Sequence, residues 1–179
     1  RCGPGLAASC RVAAAASFLY TTLRGKHIAW SRELDRMVLR GDERALDLGC
    51  GRGLVLIALA QRLPRGRATG IDRWRAIDQT GNDAQATRRN ADAEDVDARV
   101  ELVTADMRRL PFADASFDLV VSSLAIHNIH AVAERRAAVA EGYRVTRPGG
   151  RIRIADFRNA REYAAVLRDE GAVDVTDDE

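Results

Sequence analysis

Leu46-Asp47-Leu48-Gly49-Cys50-Gly51-Arg52-Gly53 is the stretch on which the fold turns. Arg44 to Leu48 reads as a buried strand, and Leu54 to Leu63, apolar almost all round and closed by Pro64, reads as a helix. Three glycines between them allow a tight turn with positive φ and bring the backbone close to a ligand. The free N–H groups at the start of the following helix favour a carboxylate or phosphate. A ligand with a negative end is therefore expected over this loop.

Outward from the loop, short apolar runs alternate with helical stretches. Ala68–Ile71, Val100–Val103, Phe117–Ser122 and Arg151–Ala155 read as further strands. Phe117–Ser122 is so continuously apolar that burial on both faces is expected. Asp83–Glu94, the amphipathic Ala131–Val145 and Ala160–Glu170, with Gly171 as C-cap, read as helices. Arg147-Pro148-Gly149-Gly150 reads as a turn and Ala172–Val175 as a short last strand. Alternation of this kind predicts a doubly wound, mostly parallel α/β sheet flanked by helices. Residues 1–43 read as an N-terminal helical segment, a lid or cap, and 44–179 as the ligand-binding domain.

The chain has 179 residues, a size suited to one domain. Its apolar share of 46% and charged share of 30% are those of an ordinary globular protein. Net charge is +2, and Lys26 is the only lysine among 28 positive residues. The arginines are spread along the chain, whereas a phosphate-binding face needs them clustered, so nucleic acid is not favoured as a partner. Cys2, Cys10 and Cys50 lack metal-ligand spacing, so no metal is expected, and free thiols fit a reducing cytoplasm. Leu6–Tyr20 is apolar and Ala-rich but too short to span a bilayer and interrupted by Arg11. It reads as a packing helix, with membrane contact by the N-terminus as the alternative. A start at Arg1 reads as a fragment or processed form.

Two acids complete the pocket. Asp72 closes the second strand and Asp106 follows the third, both on the edge where doubly wound sheets bind ligands. The first can accept from two ribose hydroxyls and the second from an adenine amino group. An adenosine with a small zwitterionic tail fits. The dinucleotide pattern G-x-G-x-x-G fails because its last position here is Leu54.

With LDLGCGRG at 46–53, GIDRW at 70–74, TADMRRLPFADASFDLVVSS at 104–123 and RPGGRIRIADF at 147–157, the chain resembles class I S-adenosylmethionine-dependent methyltransferases. The likeness is to the small-molecule type of quinone biosynthesis. It implies a Rossmann-like fold with S-adenosylmethionine as cofactor. It also implies that Asp47, Gly49, Cys50, Gly51 and Gly53 surround the methionine part. Asp72 would bind the ribose, flanked by Arg73 or Trp74. Asp106 and Met107 would frame the adenine, and Ser122 and Ser123 would line the mouth.

Two departures from the family pattern stand out. Arg73 to Asn82 lengthens the segment after the ribose acid. The C-terminal hairpin that usually completes the sheet is expected to be truncated.

For the chemistry, His127, just past the fourth strand, is the candidate general base, because a neutral imidazole can accept a proton. Packing at the start of the next helix is the plainer reading of it. His130 is expected to be solvated, and Lys26, His27 and Trp30 are candidates for a lid. Asp156 and Asn159 face the crevice by topology, Asn159 also serving as a helix N-cap. A small-molecule acceptor is expected. An RNA or protein methyltransferase, or a cofactor-binding protein without catalysis, stands as the alternative. Ser122-Ser123-Leu124-Ala125 lacks the Asn-Pro-Pro-Tyr style of tetrapeptide used on base amino groups.

Overall fold

The computed structural model describes residues 25–75 and 83–177. The chain divides into two compact units, one ending at Val38 and one beginning at Leu39. In the first, residues 25–36 are helical (α1), and Lys26, His27 and Trp30 fall on this helix. The expectations for Leu6–Tyr20 and for residues 76–82 lie outside the described residues.

The second unit begins with β1 (Arg44–Leu48), α2 (Leu54–Arg62), β2 (Arg67–Asp72), α3 (Ala84–Ala93) and β3 (Val100–Thr104). It continues with β4 (Phe117–Ser123), α4 (Val132–Val145), β5 (Thr146–Ala155) and α5 (Ala160–Glu170). The strands form one sheet in the order β3-β2-β1-β4-β5, every neighbouring pair parallel. The chain winds one way from β1 to β3 and the other way from β4 to β5. The switch point lies between β1 and β4, where such sheets leave a crevice at their carboxyl edge.

Sequence accounts for most of this. From Ala45 to Leu48 and from Phe117 to Ser122 every residue is buried, the mark of central parallel strands covered on both faces. Leu46, Leu48, Ile71, Leu110, Phe117, Val120 and Val145 form one apolar cluster. Each such side chain contributes roughly 1.5–3 kcal/mol when taken out of water. Helix α2 buries Val55, Leu56, Leu59 and Ala60, a stripe at helical spacing. Asp83 caps α3, accepting from the Ala86 N–H at 2.7 Å, a contact of about 1 kcal/mol. Gly171 ends α5 at φ 100°, and the Ala172 N–H returns to the Leu167 carbonyl at 2.8 Å, as a glycine C-cap requires.

Three local expectations need correction. Residues 147–150 are not a separate turn but a bulge inside β5. Phe117 pairs with Thr146 and Leu119 next with Arg151, so the intervening residues loop out, with Gly149 at φ 76°. Asp118 anchors the bulge, since its carboxylate meets both Arg147 and the Arg44 N–H. Ala172–Val175 is no strand: the Ala172 amide is used in closing α5, and Val173 is 84% exposed. Asn159 does occupy the N-cap position of α5, but at φ 66° and without a side-chain cap bond.

Candidate functional site

The glycine loop joins β1 to α2 at the switch point. Its turn is pinned to β2, because the Gly49 and Cys50 N–H groups both donate to the Ile71 carbonyl, at 2.9 and 3.0 Å. Gly49 sits at φ 73°, and a β-carbon there would come within 2.4 Å of the Ala125 side chain and 3.1 Å of Met107. Gly53 sits at φ 90°, with Thr87 2.8 Å from where a β-carbon would lie. These two positions admit only glycine, on grounds of both conformation and space. From outside, α3 clamps the loop: Thr87 Oγ1 donates to the Gly51 carbonyl at 2.7 Å and Asn90 Nδ2 to the Arg52 carbonyl at 2.9 Å.

Asp47 lies beneath the loop with only 1% of its surface exposed. Its Oδ1 is buried and has no hydrogen-bond partner among the described residues. Burial pushes this carboxyl up to about 7; the nearby Asp72 charge adds to the rise and a backbone hydrogen bond from Leu56 opposes it. An orphaned buried carboxylate is costly unless something cationic or donating meets it. Burial, with Asp47 and Asp72 close by, also pushes the Cys50 thiol up, so Cys50 is inert filling against Gly70.

Asp72 ends β2 facing the same loop. Its Oδ2 accepts from the Gly51 N–H at 3.0 Å and its Oδ1 from the Trp74 N–H at 2.7 Å. Trp74 takes φ 55°, which lays its indole across the ends of β2 and β3, with Nε1 donating to Thr104 Oγ1 at 2.9 Å. Arg73 reaches across to Asp106, 3.2 Å away. The two acids thus stand side by side on the carboxyl edge.

Asp106 is the most heavily bonded group of the site. The Arg108 side chain grips both its oxygens, with contacts of 2.6–3.0 Å, and the Arg108 N–H adds another at 3.0 Å. Those bonds from Arg108 hold the Asp106 carboxyl down at about 2, against the opposing effect of burial. Arg108 also reaches Glu134 at the start of α4, at 2.7 Å. For Asp106 to receive an adenine amino group, one of these arginine contacts must give way. Met107 turns inward instead, toward Gly49.

On the other side of the switch point, Ser122 is buried and its hydroxyl donates to the Leu48 carbonyl at 3.0 Å. It ties β4 to β1 rather than offering a free hydroxyl at the mouth. After β4 the chain passes Ala125, packed on Gly49, and makes a 3-10 turn at Ile126–Asn128. His127 lies on that turn with its side chain 17% exposed.

Asp156, just past β5, faces His127 with a side chain 1% exposed. Its Oδ1 is 2.7 Å from His127 Nδ1, close enough for a hydrogen bond though not aligned for one. Such pairs commonly tighten only when ligands bind. The carboxylate itself is held firmly: Oδ2 accepts the His127 N–H at 3.0 Å and Oδ1 the Phe157 N–H at 2.9 Å. The Tyr163 hydroxyl stands 3.4 Å from Oδ2. His127 Nε2 makes no hydrogen bond to the described residues.

Thr87, Asn90 and Glu134 carry no signal in the sequence, since each acts through a contact far along the chain. Asp156 was legible as an acid on the crevice, but its contact with His127 was not. Among the described residues no cluster of three His, Cys, Asp or Glu side chains is arranged for a metal ion.

A glycine loop at a switch point, an unsatisfied acid beneath it, and acids closing the next two strands define an adenosyl-binding α/β domain of the class I methyltransferase type. The chain belongs to the methyltransferase domain family, which it matches over residues 46–154.

Among curated relatives it is 35% identical over 134 residues to the ubiquinone/menaquinone biosynthesis C-methyltransferase UbiE of Dinoroseobacter shibae, covering 74% of this chain and 50% of that protein. It is 36% identical to the 27-O-demethylrifamycin SV methyltransferase of Amycolatopsis mediterranei, covering 72% and 45%. The chain therefore spans about half the length of these relatives. A SAM-dependent methyltransferase from Aquifex aeolicus shares the fold at TM-score 0.65 and 18% identity, covering 79% of this chain and 78% of that one.

The residues present fit S-adenosylmethionine, the cofactor that the sequence resemblance implies. Asp47 offers an unsatisfied buried oxygen where an ammonium group needs a partner, and Asp72 stands at the end of β2 against the same loop.

Proposed function

We propose that this domain transfers the methyl group of S-adenosylmethionine to a hydroxyl of a small-molecule acceptor, with His127 as general base and Asp156 as its positioning residue. The observation that carries this reading is the 2.7 Å approach of Asp156 Oδ1 to His127 Nδ1 on the turn that packs over Gly49.

The cofactor supplies an electrophilic methyl on a positively charged sulfur, a leaving group already activated. What remains for the protein is to hold both reactants in line and keep the site dry, which is worth on the order of 7–11 kcal/mol in favourable cases. Asp47, Gly49, Cys50, Gly51 and Gly53 would hold the methionine part, Asp72 with Arg73 and Trp74 the ribose edge, and Asp106 with Met107 the adenine. Ser122 supports this indirectly, by fixing the end of β4 on β1.

Asp156 favours the tautomer that carries its proton on Nδ1, leaving Nε2 as the acceptor. With the cofactor bound, His127 Nε2 would take the acceptor's proton as the acceptor oxygen receives the methyl group, and Asp156 would hold the resulting imidazolium charge.

The test is transfer of label. The chain incubated with methyl-labelled S-adenosylmethionine and a bacterial metabolite extract should yield a labelled small molecule. Label found only in RNA or protein would overturn the acceptor class. Cofactor binding without any transfer would favour the non-catalytic alternative. We place the activity in a reducing cytoplasm, a reading supported by the free, buried Cys50. No helix among the described residues is long and apolar enough to cross a membrane.

A further inference from the structure

Beside the His127–Asp156 pair, the chain leaves β5 and exposes Phe157 and Arg158 in succession. The Phe157 ring lies 4.3 Å from the His127 ring, centroid to centroid, at 51°. The Arg158 guanidinium lies 5.3 Å from the Phe157 centroid. With both contacts made, Phe157 is still 61% exposed. The ring therefore keeps an open surface at the carboxyl edge, beside the candidate base. Arg158 forms no ion pair or hydrogen bond among the described residues, so its forked donors are free. One flat apolar surface and one free cation thus adjoin the only histidine held by a buried acid among the described residues.

We propose that Phe157 and Arg158 select the acceptor, and that the acceptor is a hydroxyaromatic compound carrying an anionic group such as a carboxylate. Its ring stacks on Phe157 in the offset or edge-to-face manner of aromatic pairs. Its anion pairs with Arg158, whose planar fork matches a carboxylate in two bonds. Its hydroxyl then meets His127 Nε2. The proton leaves the hydroxyl for that nitrogen, the oxygen–methyl bond forms, and the sulfur–methyl bond breaks. The proposal rests on the methyltransferase reading above and adds to it the acceptor's ring and charge.

The experiment uses the chain with labelled S-adenosylmethionine and a mixture of four probes: 3,4-dihydroxybenzoate, catechol, 6-hydroxyhexanoate and 1-hexanol. Label is expected mainly in 3,4-dihydroxybenzoate, less in catechol, and least in the two aliphatic alcohols. Phe157→Ala should raise KM for 3,4-dihydroxybenzoate about tenfold with kcat nearly unchanged, and Phe157→Tyr should restore it. Arg158→Gln should abolish the preference for 3,4-dihydroxybenzoate over catechol while leaving catechol methylation as it was.

Equal labelling of the aliphatic alcohols, or a KM that ignores Phe157→Ala, would overturn the ring. An unchanged preference in Arg158→Gln would overturn the anion. Either result leaves the methyltransferase reading standing. Absence of label from all four probes and from the metabolite extract, with the cofactor bound, would overturn both.

Discussion

The two sides of the switch point are built differently. On the β1–β2–β3 side the site is mostly backbone: the Gly49 and Cys50 amides on Ile71, the Gly51 amide on Asp72, and two glycines where no side chain fits. On the β4–β5 side it is side chain against side chain, with His127 on Asp156, Phe157 on His127 and Tyr163 behind. A backbone cradle binds whatever has the right outline and tolerates little change. A side-chain constellation can be exchanged without disturbing the sheet. The first half thus suits a fixed cofactor and the second a variable acceptor.

The sharpest way to separate the halves is His127→Ala. General bases typically contribute about 10²–10⁴-fold to rate, so turnover should fall by at least about a hundredfold while calorimetric affinity for S-adenosylmethionine stays as it was. Asp156→Asn should lower turnover less, because the amide can orient the ring without holding its charge. A wild-type rate for His127→Ala would remove it from the chemistry.

Asp72→Ala should do the reverse. It removes the carboxylate proposed to accept from the ribose and releases the Gly51 and Trp74 amides. A hydrogen bond to a charged group is worth roughly 1.5–3 kcal/mol, so affinity for the cofactor should fall about tenfold to a hundredfold. Turnover at saturating cofactor should change far less. Unchanged affinity would mean that Asp72 serves the loop alone.

Asp47 sharpens the comparison through pH. Its folded value near 7 stands above the ordinary 3.8, so the folded domain holds this proton where the unfolded chain has lost it. This group therefore favours folding most below about pH 4, and its contribution is lost as pH rises from about 4 to 7. Ligand-free melting temperature should fall across that window, and Asp47→Asn should flatten the fall. Because an ammonium partner favours the ionised form, cofactor affinity should rise about tenfold between pH 5.5 and 7 in the wild type. A flat profile would leave the orphaned oxygen without a role.

How much of this was legible in the chain follows the same divide. The strands, the loop and the two acids are local patterns: apolar runs, glycines at set spacing, and a carboxylate just past a strand. All three survive in a linear reading because the sheet's carboxyl edge follows from strand order. His127 and Asp156 are 29 positions apart, and only the parallel pairing of β4 with β5 brings them together. Arg108 was invisible for another reason. Arginines run through the entire chain, and nothing in the sequence marks the one that lies across Asp106. The 147–150 bulge was misjudged because Pro148-Gly149-Gly150 has a turn's composition; only its pairing, anchored at Asp118, keeps it within the strand.

The smallest effect tests a part of the cofactor half built from paired charged side chains. Arg108 and Arg73 saturate Asp106, and Arg108 is held at its far end by Glu134. If Asp106 accepts the adenine amino group, that bond replaces an arginine contact, and the exchange reduces the net gain on binding. Arg108→Gln frees the carboxylate without emptying the space, so affinity for S-adenosylmethionine should rise by about threefold. The gain should vanish for an analogue lacking the amino group. Partly exposed ion pairs are worth about 1 kcal/mol or less, which sets the scale. A loss of affinity in Arg108→Gln would instead make the arginine part of the adenine's binding surface, and the backbone-against-side-chain divide would then run through the cofactor pocket itself.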